Sequence, residues 1–69
     1  MTQTLTAVLH KEGDLFVAEC PEVGTVSQGV DIDDALHNLG EATELYLEEF
    51  PMEQPARPFV TTCEVAVDA

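Results

Sequence analysis

The sequence predicts an α+β fold: a two-layer sandwich of order β-β-β-α-β, with an antiparallel meander and one long helix packed on one sheet face. Three observations predict it. Thr2 to Val30 alternates apolar and polar residues between glycine-containing turns. Ile32 to Phe50 then changes to a helical period. Beyond a cluster of prolines, Phe59 to Val67 alternates again. A single amphipathic helix covers a single sheet face, which makes two layers. The 69 residues amount to one domain. A chain of this size buries only about 60% of the surface its unfolded form exposes, so its core is marginal.

In the first strand, Thr2 to His10, Leu5, Ala7 and Leu9 point to one side. Lys11-Glu12-Gly13-Asp14 reads as a polar turn. Leu15 to Cys20 is the second strand, with Phe16, Ala18 and Cys20 on one face, and the two strands form a hairpin. Pro21 ends that strand because it has no N–H for the ladder. Gly24 marks the next turn, and Thr25 to Val30 is a short third strand. Asp31 is the helix N-cap, with Asp34 completing an aspartate variant of the capping box. Ile32, Ala35, Leu36, Leu39, Ala42, Tyr46, Leu47 and Phe50 fall in one stripe, and Leu45 lies nearly opposite. Gly40 sits on the flank of the helix, and Pro51 stops it. Met52 to Pro58 reads as an extended loop, and Phe59 to Val67 as a fourth strand with Phe59, Thr61, Cys63, Val65 and Val67 on one face.

Composition narrows function. Fourteen acidic residues stand against Lys11 and Arg57, a net charge of -12. Nucleic-acid affinity rests on cationic side chains neutralising phosphates, so the charge argues against direct DNA or RNA binding. An anionic membrane surface is disfavoured on the same ground. The remaining partners are water, cations or a basic protein surface. High charge favours disorder, but 45% of the residues are apolar and periodically placed. No apolar run has the length of a membrane span, and the N-terminus lacks the pattern of a signal peptide. The expectation is a soluble cytoplasmic protein whose Cys20 and Cys63 are reduced thiols in a packed interior. The two open edges of a four-stranded sheet predict self-association to a dimer or higher even oligomer.

No catalytic or metal constellation stands out. Cys20 and Cys63 are 43 positions apart, and neither His10 nor His37 is paired with them at a metal-ligand spacing. Both thiols read as core residues and both histidines as surface residues. A Cys–His nucleophile would need an orienting third group that the sequence does not specify. There is no nucleophile elbow around Ser27 and no glycine-rich phosphate loop. The carboxylates could in principle hold a divalent metal for nuclease chemistry, but most lie on the outer face of the helix. No catalytic residue, cofactor or metal ligand is assigned.

That outer face is the candidate binding site. Asp34, Glu41 and Glu48 recur every seven residues, flanked by Asp33 and Glu44, with Leu45 at the margin. They form an acidic ribbon about 20 Å long. No Lys or Arg lies in the helix to compensate it. One reading is a solubilising face, as in a high-salt cytoplasm. The other is a docking face for a cationic partner, where complementary charge speeds association and sets specificity.

Phe16-Val-Ala-Glu-Cys-Pro-Glu-Val-Gly-Thr-Val-Ser-Gln-Gly29, Asp31-Ile-Asp-Asp-Ala-Leu-His-Asn-Leu39 and Glu41-Ala-Thr-Glu-Leu-Tyr-Leu47 follow one another in order. Together they resemble the HicB-like antitoxin family, and Thr61-Thr-Cys-Glu-Val-Ala-Val67 looks like its last strand. The resemblance spans nearly the whole chain. It implies a single antitoxin domain over residues 1–69 with a partial ribonuclease-H-like fold lacking the full catalytic carboxylate set. It also implies a non-enzymatic function, in which a small basic HicA-type mRNA-cleaving toxin is neutralised by binding. Many members carry a C-terminal DNA-binding region, and the expectation here is that none follows the last strand. Gly40 and Thr43 depart from the family pattern, which commonly has Lys and an aliphatic residue there. Pro21, Gly24, Gly29 and Asp31 read as structural: two turn residues, a glycine permitting backbone geometry before the helix, and the cap. The alternative function is a stand-alone oligomeric α+β interaction module without a dedicated toxin.

Overall fold

Turn chemistry sets the sheet. The computed structural model describes residues 2–51 and 58–68. Its elements are β1 (Val8–Glu12), β2 (Leu15–Cys20), β3 (Thr25–Gly29) and α1 (Ile32–Glu49). The strands form an antiparallel sheet in the order β1-β2-β3, and α1 packs on it, an α+β arrangement. Glu12 pairs with Leu15, so the first hairpin closes through two residues, Gly13 and Asp14. The expected turn over Lys11–Asp14 is therefore too long. Gly13, at φ 62°, adopts the left-handed conformation that a two-residue turn needs, and this keeps Lys11 and Glu12 in the ladder.

The first strand also starts later than its alternation predicts. Val8 pairs with Glu19, near the end of β2. Beyond Cys20, which stands opposite Ala7 in this register, the chain turns through Pro21–Gly24, so residues 2–6 have no β2 partner to pair with. Gly24, at φ 91°, donates its N–H to the Cys20 carbonyl at 2.7 Å, and Cys20 then pairs with Thr25 to begin the second hairpin.

The helix begins and ends as expected to within one residue. The Asp31 side chain accepts from the Asp34 N–H at 2.8 Å, and the Phe50 N–H donates to the Tyr46 carbonyl at 2.8 Å. Its inward face meets β2 and β3. Ala18, Cys20, Ala35 and Leu39 are buried, with Leu5, Leu9, Phe16 and Val23 packed around them.

Gly29 explains how closely the layers approach. Its φ is not positive, so special backbone geometry is not its role. A β-carbon there would overlap the Ala35 nitrogen and lie 2.7 Å from the Asp34 carbonyl carbon. The glycine is required by packing against the first turn of α1.

The expected fourth strand is absent. Residues 58–68 take up no regular secondary structure, and Phe59, Val60, Val65 and Val67 are exposed. Alternation makes a segment amphipathic, but a strand also needs a neighbour's N–H and C=O groups. Cys63 is correspondingly exposed rather than packed, whereas Cys20 is buried, and both are free thiols. Of the expected loop from Met52 to Pro58, residues 52–57 lie outside the described residues and Pro58 is exposed. Among the described residues no helix is long and apolar enough to cross a membrane.

Candidate functional site on the outer face of the helix

Helical geometry places the acidic residues where the period predicts, opposite Ala35, Leu39 and Thr43. Asp33, Glu41, Glu44 and Glu48 are exposed, and Leu45 is 65% exposed beside them. Asp34 belongs to the same side of the helix but does different work. Its carboxylate accepts from the Val30 N–H at 3.0 Å while its own N–H reaches Asp31. These two bonds satisfy backbone donors at the helix start, so Asp34 is committed to the fold.

Glu41 has a neighbour that counting Lys and Arg alone overlooks. His37 Nε2 lies 2.6 Å from Glu41 Oε1, one helical turn away, with both side chains exposed. A protonated His37 would partly compensate the ribbon at its middle. Asp33, Asp34, Glu44 and Glu48 hold the rest of the ribbon's negative charge. Among the described residues no three His, Cys, Asp or Glu side chains come together as a metal-binding group. His10 and His37 are both at the surface, each beside a glutamate.

The motif residues prove to be builders of this helix and its support. Pro21 and Gly24 shape the β2–β3 turn, Asp31 caps α1, and Gly29 lets α1 approach the sheet. Glu22, between Pro21 and Gly24, was not singled out by sequence pattern, yet it ties the N-terminal arm down. Its two carboxylate oxygens accept from the Thr6 N–H at 3.1 and 2.9 Å, and the Cys20 thiol approaches at 3.6 Å. Desolvation pushes the Glu22 carboxyl up, but hydrogen bonds from Thr6, its own backbone and Cys20 outweigh it and hold the carboxyl below the usual glutamate range.

Thr43 has a partner that the sequence did not reveal. It is a polar residue within the helix's apolar stripe, is buried there, and its hydroxyl lies 2.7 Å from that of Thr25. The departure from an aliphatic residue is thus matched by a partner on β3. Asn38 adds a second tie from helix to β3, donating to the Gln28 carbonyl at 2.8 Å. Together these bonds fix the rotation of α1 and so the direction in which its acids point.

A groove of about 570 Å³ runs between residues 2–5 and the second half of α1. Leu5, Cys20, Thr43 and Leu47 line it beside Gly40, with Glu44 and Glu48 along the helix side.

Comparison with protein-family models, curated proteins and solved structures finds no match for this chain.

Proposed function

We propose that the chain is a HicB-like antitoxin domain: a non-enzymatic protein that binds a small basic HicA-type toxin and masks its RNA-binding surface. The observation that carries this reading is the outer face of α1. It presents Asp33, Glu41, Glu44 and Glu48 on one rigid element with no Lys or Arg in the helix. Such a face attracts a cationic surface, speeds encounter and disfavours acidic competitors. Leu45 supplies an apolar contact within the charged field. The resemblance of the ordered motifs from Phe16 to Leu47 supports the same reading.

The second reading is an oligomeric interaction module with no dedicated toxin. The exposed apolar residues of the C-terminal segment favour it.

The test is a titration of purified HicA-type toxin against the wild type and a Glu41→Lys/Glu48→Lys variant at low and physiological salt. The expected result is wild-type affinity that falls with salt and about tenfold slower association of the variant. The variant should fold normally because both side chains are exposed. Affinity that ignores both salt and charge reversal would leave α1 as a solvated face and remove the support for toxin capture.

A further inference from the structure

We propose that Phe59–Val67 is a strand that adds to the free edge of β1 in a second copy of this chain, laying its apolar face into the groove beside α1, with the exchange reciprocal. The proposal needs no toxin and stands apart from the function above.

The segment has the pattern of a half-buried strand. Phe59, Thr61, Cys63, Val65 and Val67 alternate with Val60, Thr62, Glu64, Ala66 and Asp68. Both charges fall on the second set, so the first set makes an uncharged face and the second can meet water. In the single chain this face is unused: Phe59 is 102%, Val65 74% and Val67 80% exposed. An alternating, largely uncharged segment left unpaired seeks an edge.

The fold offers a matching edge. β1 is terminal in the sheet, and α1 packs on β3 and β2, so the helix leaves the β1 flank open. The groove lies between the arm that leads into β1 and the second half of α1, with Leu5, Cys20 and Leu47 as its apolar lining. A strand of nine residues spans about 30 Å, the same reach as β1 with the arm before it. Side chains on its uncharged face would enter the groove, while backbone groups would meet those of β1.

Charge permits a second copy as the donor. Two chains of net charge -12 repel wherever their acids meet. β1 with the arm before it contains one carboxylate, Glu12, and residues 58–67 contain only Glu64 of the fourteen, while Glu44 and Glu48 stand along the helix side of the groove. The edge and the incoming strand therefore pair at low electrostatic cost.

Shape points the same way. The radius of gyration is 14.2 Å, against about 11 Å for a compact chain of this length. The chain thus carries its last segment away from its own groove. Reciprocal exchange about a two-fold axis fills both grooves, covers both β1 edges and enlarges two marginal cores.

Sedimentation of the full chain at about 100 µM should show a dimer, and dilution should dissociate it. Copies labelled with ¹³C, mixed with unlabelled copies by unfolding and refolding, should give interchain nuclear Overhauser contacts between residues 2–11 and 59–67. Val65→Asp, on the inward face, should weaken dimerisation about tenfold or more while far-UV circular dichroism retains the helix. Ala66→Asp, on the outward face, should leave dimerisation unchanged. A monomer at that concentration would overturn the proposal. So would equal effects of the two aspartates, or contacts from the segment found only within one chain, which would seat it in its own groove.

Discussion

Replacing Gly29 with alanine tests the closest approach of the two layers. The new methyl would lie 2.7 Å from the Asp34 carbonyl carbon and 2.8 Å from Ala35 Cα, where ordinary contact begins at 3.4 Å. These are backbone atoms of α1, so no side-chain rotation relieves the overlap. β3 and α1 must separate locally by roughly 0.7 Å or more, which loosens the packing of Ala18 and Ala35 between them. The expected loss is about 2–3 kcal/mol. That is a large share of the roughly 3–10 kcal/mol available to a chain of this size. Gly40→Ala supplies a control of opposite sign. Nothing lies within 4 Å of its would-be β-carbon, and alanine in a helix interior gains up to about 1 kcal/mol over glycine. Urea unfolding followed by far-UV circular dichroism, at one fixed chain concentration, measures both. A Gly29→Ala midpoint corresponding to less than about 0.5 kcal/mol of change would refute the close-packing account.

Glu22 makes stability depend on pH: its carboxyl titrates lower in the folded chain than in the unfolded one, so its contribution is full above the ordinary value of about 4.3 and is lost as pH falls through the folded value. The urea-midpoint difference between wild type and Glu22→Gln should therefore be widest near neutral pH and close in acid; a difference independent of pH would contradict the Thr6 tether. Thr43→Val should cost about 1 kcal/mol because it strands the Thr25 hydroxyl, while converting both threonines to valine should recover much of the loss. A double-mutant cycle showing no coupling would mean that the hydroxyl pair does not help hold α1 on β3.

Features that depend on consecutive residues could be read directly from the sequence. β2 occupies Leu15–Cys20 because alternation and Pro21 define it, and α1 follows from Asp31, the apolar stripe and Pro51. The exposure of Asp33, Glu41, Glu44, Leu45 and Glu48 follows from the same helical period. Other features depend on what each segment meets across space. The Thr2–Thr6 alternation makes no strand because β2 has already turned away. Gly29 is set by the approach of Ala35, Asp34 by the N–H of Val30, and Thr43 by the hydroxyl of Thr25. Periodicity defines which face of Phe59–Val67 is apolar, but hydrogen-bonding partners come only from a neighbouring backbone. Tertiary structure therefore decided that this segment stands exposed and that, among the described residues, β1 keeps an open edge.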